Sequence, residues 1–238
     1  MEIRHLGISS LRVSLVGLGC NNFGVRIDLE TARKVLHKAL DLGITMIDTA
    51  DIYGKGGSET FLGEIMGHRR NDLVLATKFG MPMDETRGLV GASRRYIMTA
   101  VEASLKRLRT DHIDLYQLHQ PDPQTPIEET LRALDDLIKQ GKIRHIGCSN
   151  LPSVQVEDAQ STAEARGLNA FILPGRIQPG EARHRARALA DHAKPGPGPI
   201  AVLPARRWPV DRQVQARTGT GTRDPVRKYA EIICISRQ

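Results

Sequence analysis

The spacing of hydrophobic positions changes repeatedly along the chain, and each change predicts a different element. "VSLVGLG" at residues 13–19 is nearly continuous in apolar residues and predicts a buried strand. In "DLETARKVLHKALDLG", Ala32, Val35, Leu36, Ala39 and Leu40 recur on one face of a 3.6-residue repeat. That is an amphipathic helix, with Asp28 placed to cap its start and Gly43 its end. "ITMID" predicts the next strand, "SETFLGEIMG" a short helix ended by Gly67, and "LVLATK" at residues 73–78 a third strand. "SRRYIMTAVEASLKRLR" predicts a helix with Met98, Val101, Leu105 and Leu108 inward, and "IDLYQLH" at residues 113–119 a fourth strand. Thr125, Pro126 and Glu128 have the spacing of a cap, a first-turn proline and a capping-box partner for another helix. "KIRHIGCSN" at residues 142–150 carries a fifth strand, "VQVEDAQSTAEARG" a helix, and "LNAFI" at residues 168–172 opens a sixth strand.

Five strand–helix units in series predict a parallel sheet with helical crossovers. A doubly wound dinucleotide fold calls for G-x-G-x-x-G after the first strand, and "GLGCNNFG" does not fit it. A (β/α)8 barrel gathers its polar groups at the carboxyl ends of its strands. Here the second strand ends in Asp48, the third in Lys78, the fourth in His119 and the fifth in Ser149 and Asn150. The pattern therefore favours an α/β protein of the (β/α)8 TIM-barrel type, incomplete at about five and a half units.

Charge divides the chain. Residues 173–238 hold 13 Lys and Arg against 5 Asp and Glu, whereas residues 1–172 hold 21 against 22. Eight of the 13 prolines also fall after residue 172. This marks a boundary between a barrel-like portion, 1–172, and a basic, Pro/Gly/Arg-rich tail, 173–238. Three scattered cysteines make neither a disulfide framework nor a zinc site. The amino terminus has no signal-peptide pattern, and no apolar run reaches the ~20 residues of a membrane helix. The expectation is a cytoplasmic protein without membrane insertion or metal.

The strand ends suggest a chemistry. A phenol has an ordinary pKa near ~10 and is a poor acid at neutral pH. A neighbouring ammonium favours the phenolate and makes the phenol a better acid. Lys78 can be that neighbour of Tyr53, Asp48 can keep Lys78 charged and placed, and His119 can hydrogen-bond a carbonyl oxygen. Together they could protonate a developing alkoxide, and a hydride donor would complete a carbonyl reduction. Taken singly, Asp48 also reads as a turn residue, Lys78 as a solvated strand end and His119 as structural. Asp51 reads as a loop-stabilising carboxylate rather than a second acid, Asp114 as structural, and Cys148 as an inert buried thiol.

"IDTADIYGKGGSE", "LVLATKFG", "IDLYQLHQPD" and "IRHIGCSN" together resemble the aldo-keto reductases, over residues 3 to 172. The resemblance implies a (β/α)8 barrel that uses NADPH to reduce a small-molecule aldehyde or ketone. It implies a catalytic tetrad of Asp48, Tyr53, Lys78 and His119, with Tyr53 as general acid. It places Ser149 and Asn150 at the nicotinamide carboxamide, with Gly19, Asn21 and Asp48 also at the cofactor cleft. It equally implies an alternative, since some relatives are cofactor-binding regulatory subunits of ion channels. A third reading is a non-functional, truncated reductase.

The tail departs from that pattern. Codons exist for "RIQPGEARHRAR" that, read one nucleotide later, give "EYSLVKRGIER"; "PVDRQVQAR" similarly gives "LLTGKYKR". Both are family-like and in family order, which implies that residues from about 173 onward are translated out of frame. A GC-rich gene in a wrong frame yields Arg, Ala, Gly and Pro. That accounts for the basic excess without a nucleic-acid partner, for which aromatic interleaving is missing. Two tail runs, "PIAVLP" (199–204) and "AEIICIS" (230–236), could act as strands, the second by covering a sheet edge. Without the last barrel units, this chain is expected to fold weakly and to bind NADPH poorly.

Overall fold

A computed structural model describes residues 1–7, 9–84 and 89–172, and the backbone of 231–234. Strand β1 (Ile3–His5) pairs antiparallel with β2 (Arg12–Ser14). The hairpin brings Leu6, Leu11 and Val13 onto Met46, Ala76 and Leu115, a small core of its own. The predicted strand over 13–19 is thus two strands, β2 and β3 (Val16–Gly19), broken at Leu15. Ser14 makes the break. Its hydroxyl donates to the Val16 carbonyl at 2.6 Å and accepts from the amides of Thr45 and Met46 at 2.9 and 3.2 Å.

Five parallel strands follow one another across the main sheet: β3, β4 (Met46–Asp48), β5 (Val74–Phe79), β6 (Ile113–Leu118) and β7 (Ile143–Cys148). Strand β8 (Glu231–Cys234) adds antiparallel to the free side of β3, as expected of the "AEIICIS" run. The helices between strands are α1 (Leu29–Asp41), α2 (Gly57–Met66), α3 (Arg94–Leu108) and α4 (Ile127–Lys139), and α5 (Ser153–Arg166) follows β7. This is the α/β architecture of five successive βα units read from the sequence.

Local chemistry explains most boundaries. Asp28 accepts the Thr31 amide at 2.8 Å and caps α1, whose buried residues are the five predicted. Ser93 caps α3 through the Tyr96 amide. The capping box expected at Thr125 and Glu128 does not form. Thr125 gives its hydroxyl to Asp122, and Glu128 pairs with Arg132 and Arg166, so α4 starts without a side-chain cap. The sixth strand expected to open at residue 168 does not form within 168–172. The Leu168 amide closes α5 on Ala163, and Asn169 bonds Asp135, so 168–170 form the turn out of the helix. Only Ile172 reaches the sheet, donating to the Ile146 carbonyl at 2.8 Å. The remaining expectations for the tail, including "PIAVLP", lie outside the described residues.

The register lines up the strand ends. Gly19 pairs with Asp48, Asp48 with Ala76, Lys78 with Gln117 and Leu118 with Cys148. Asp48, Lys78, His119 and Ser149 therefore emerge side by side along one rim of the sheet.

Candidate active site

Lys78 is fully buried, and among the described residues its ammonium has three oxygen partners. It donates to Asp48 Oδ2 at 2.5 Å, to the Thr49 carbonyl at 2.9 Å and to the Tyr53 hydroxyl at 3.5 Å. Burial is the largest influence on it and disfavours its charge. The charge of Asp48, then that of Tyr53, and the hydrogen bonds to both outweigh burial, so the pKa of Lys78 lies above its ordinary value. The ammonium stays protonated, 5.1 Å from the centre of the Tyr53 ring.

Tyr53 is half-buried and His119 faces it. The two rings meet edge to face with centroids 5.8 Å apart. Burial, then the charge of Lys78, pushes the His119 imidazole down to about 4, so the ring is neutral at neutral pH. Its Nδ1 is buried without a hydrogen-bond partner among the described residues. The four residues singled out in the sequence are thus brought together.

The other strand ends are close by. Ser149 is buried, and its amide donates to the Leu118 carbonyl. Asn150 adopts a left-handed backbone with φ 58°, and its amide donates to the His119 carbonyl and to Ser149 Oγ. Gly19 ends β3 beside Asp48. Asn21 follows two residues later, and its Oδ1 is buried without a partner among the described residues.

Two further groups build the site and were missed in the sequence. Gln117, 1% exposed, donates from Nε2 to Asp48 Oδ1 at 3.2 Å. It stands two residues before His119 on the same strand face, a period-two signal that could have found it. Ser58 donates to the Cys20 carbonyl at 2.7 Å and lies 2.8 Å from Thr49 Oγ1, fixing the start of α2 to the floor of the site. Of the residues set aside in the sequence, Cys148 ends β7 directly before Ser149. Burial pushes the Cys148 thiol up to about 12, so it is no nucleophile. Asp114 lies at the opposite strand ends, paired with Arg70 and Arg144.

The aldo/keto reductase family model matches residues 15–172, two thirds of the chain, and spans every residue of this site. The chain belongs to the aldo/keto reductase family. It is 42% identical over 218 residues to "Uncharacterized oxidoreductase YrpG" of Bacillus subtilis (strain 168), covering 87% of this chain and 63% of that protein. It is 36% identical over 174 residues to the "Probable voltage-gated potassium channel subunit beta" of Arabidopsis thaliana, covering 71% of this chain and 52% of that one. Among solved structures, the aldo-keto reductase AKR11C1 from Bacillus halodurans, in its holo form, superposes with a TM-score of 0.62 at 42% identity. That superposition covers 67% of this chain and 54% of the other. This aldo/keto reductase chain therefore spans between about half and five-eighths of the length of these relatives. The family generally uses a nicotinamide cofactor. Among the described residues no helix is long and apolar enough to cross a membrane.

Proposed function

We propose that this aldo/keto reductase site reduces an aldehyde or ketone with NADPH, with Tyr53 as the general acid. The observation that carries the reading is the placement of one buried ammonium, Lys78, between the Asp48 carboxylate and the Tyr53 hydroxyl. A cation at that distance stabilises the phenolate that remains after proton transfer. Asp48 holds the cation in place, and Gln117 holds Asp48. His119, neutral and edge-on to Tyr53, can donate one N–H to a carbonyl oxygen and aim it at the phenol.

The residues present fit a nicotinamide. Two buried polar atoms at the strand ends, Asn21 Oδ1 and His119 Nδ1, lack protein partners among the described residues. Gly19, Asn21 and Asp48 on one side and Ser149 and Asn150 on the other would hold it. Bound there, the reduced cofactor supplies hydride. The cytoplasm, with its reducing poise, is the compartment that suits the buried free thiols of Cys20 and Cys148.

Turnover of a simple aldehyde with NADPH, with and without Tyr53→Phe, in a protein whose family frame is restored after residue 172, tests the reading. Loss of the phenol should lower turnover about a hundredfold or more while NADPH affinity stays within about twofold. Turnover of Tyr53→Phe within about tenfold of the unchanged protein would remove Tyr53 from the mechanism.

A second reading, a cofactor-binding regulatory subunit, draws on the similarity to the Arabidopsis channel subunit. It requires NADPH binding without significant turnover, so the same assay separates the two. For residues 173–238 the reading is a family tail translated one base out of frame, which the end of the family match at Ile172 supports. The alignment to YrpG covers 87% of the chain and so extends past that point. Sequencing the gene decides between them: the reading requires a family-like tail offset by one base.

A further inference from the structure

The loop that carries Tyr53 runs from the end of β4 at Asp48 to the start of α2 at Gly57. It is held from behind by groups that take no part in the tetrad. Asp51 is 1% exposed. Its amide donates to the Lys78 carbonyl at 3.1 Å, and its Oδ2 accepts from the hydroxyl of Tyr96, on α3, at 3.4 Å. Its Oδ1 has no hydrogen-bond partner among the described residues.

A second buried carboxylate, Glu59 on α2, stands near Asp51, and it is well supplied. Thr77 of β5 donates to Glu59 Oε1 at 2.6 Å, and Arg107 of α3 donates from Nε to Oε2 at 2.7 Å. Another nitrogen of Arg107 donates to Ser104 Oγ at 3.2 Å. Tyr116 of β6 brings a buried hydroxyl with no partner among the described residues. Among the described residues, the groups facing Asp51 are therefore one carboxylate, one guanidinium and two phenols.

This arrangement holds one cation for two carboxylates. A buried ion is tolerated where an opposite charge and hydrogen bonds compensate it, and otherwise the group neutralises. Glu59 has the guanidinium and a hydroxyl. Among the described residues Asp51 has no paired cation, and its one side-chain bond is a long one from a phenol. We propose that Asp51 is a buried, uncharged carboxylic acid that anchors the Tyr53 loop to α3, and that loss of its proton loosens this loop. Direction and cause agree. Burial first, then the charge of Glu59, pushes the Asp51 carboxyl up to about 7, against weaker opposing pulls from the Ile52 amide, Arg107 and Tyr96.

The anchoring stands on geometry and needs no catalytic assumption; its consequence for Tyr53 as an acid rests on the reductase reading. The test is urea unfolding of the 238-residue chain, unchanged and as Asp51→Asn, across about pH 4 to 8. The folded value is about 7 and the unfolded value 3.8, so the unfolded chain releases its proton first. Native stability should therefore fall as pH rises from about 4 to about 7, and this contribution should level above that. Asparagine has no such proton. The unfolding midpoint of Asp51→Asn should gain on that of the unchanged chain through this window and then keep a constant lead. A difference of either sign that is independent of pH, or a deficit that grows with pH, would show an ionised Asp51 and overturn the proposal. Amide hydrogen exchange reads the loop directly. After correction for intrinsic rates, residues 51–57 should lose protection above pH 7 in the unchanged chain and keep it in Asp51→Asn. Equal protection in both across that range would overturn the loosening. Neither readout involves NADPH or turnover, so both decide the matter even where the reductase reading fails.

Discussion

Gln117 on β6 reaches across β5 to donate a hydrogen bond to Asp48 on β4, at 3.2 Å. Lys78 on the intervening strand holds the other oxygen of the same carboxylate. The catalytic aspartate proposed here is therefore held from two strands, and the amide is as buried as the ion pair. Gln117→Met fills similar space and removes the donor. It leaves a buried carboxylate oxygen without this partner, which costs about 1–3 kcal/mol, more where the group is charged. A lowered urea midpoint with an unchanged slope is the expected result, and an unchanged midpoint would show that the amide contributes nothing.

Lys78 and Asp48 act as one unit. Removing either partner of a buried pair strands the other, which typically costs about 3–5 kcal/mol. Lys78→Met should therefore destabilise strongly. Asp48→Asn, which keeps the shape and loses the charge, should destabilise too. Their double variant should lose much less than the two losses added together, with a coupling of about 0.5–3 kcal/mol in a stability cycle. In a protein that turns over, the same non-additivity should appear in log rate. Additive losses in both measurements would mean that the pair is not coupled.

The helical face of α1 was legible because five apolar residues repeat at 3.6 and nothing competes with that signal. The placement of Asp48, Lys78 and His119 was legible because they stand at the ends of successive strands, which register brings side by side, and Tyr53 follows in the loop after β4. Gln117 was passed over, because a glutamine inside an apolar strand stands out only when His119, two residues on, is taken to mark its face. The break at Leu15 depends on the hydroxyl of Ser14 reaching the amides of Thr45 and Met46, about 30 residues away in sequence. The capping box failed for a related reason. Thr125 and Glu128 have the right spacing, yet Asp122 and two arginines compete for them. Local patterns are overridden wherever a distant partner offers a stronger bond.

Close packing of α2 on α3 rests on a glycine. A Cβ at Gly63 would lie 2.2 Å from the Arg107 carbonyl oxygen and 2.8 Å from the Leu108 carbonyl carbon. Both are backbone atoms, so the helices themselves must separate. Gly63→Ala should cost about 1–3 kcal/mol through overpacking, despite the better helix propensity of alanine. It should also disturb the bond from Arg107 to Glu59, since the same residue supplies both contacts. A thermal midpoint at or above that of the unchanged chain would show that the helices separate at no cost.

His119 makes stability depend on pH in the sense opposite to Asp51. Its folded value is about 4, below the ordinary 6.5, because burial and then the charge of Lys78 oppose the imidazolium. As pH falls through about 6.5 the unfolded chain takes up a proton that the folded chain refuses. The contribution of the neutral ring is complete above about pH 6.5, is lost as pH falls towards about 4, and changes no further below that. Asp51 contributes its change between about 4 and 7, with stability falling as pH rises. The two effects partly cancel in the unchanged chain, so neither is visible from its profile alone. Replacing His119 with glutamine, which stays neutral and polar, should uncover the Asp51 slope, and the variant should gain on the unchanged chain as pH is lowered from about 6.5 to about 4. Asp51→Asn should uncover the His119 slope instead. Urea midpoints for the three proteins across this range measure both. If His119→Gln tracks the unchanged chain at every pH, the imidazole does not titrate between the folded and unfolded states. His119 would then lack the depressed value that keeps it neutral beside Lys78 at acidic pH.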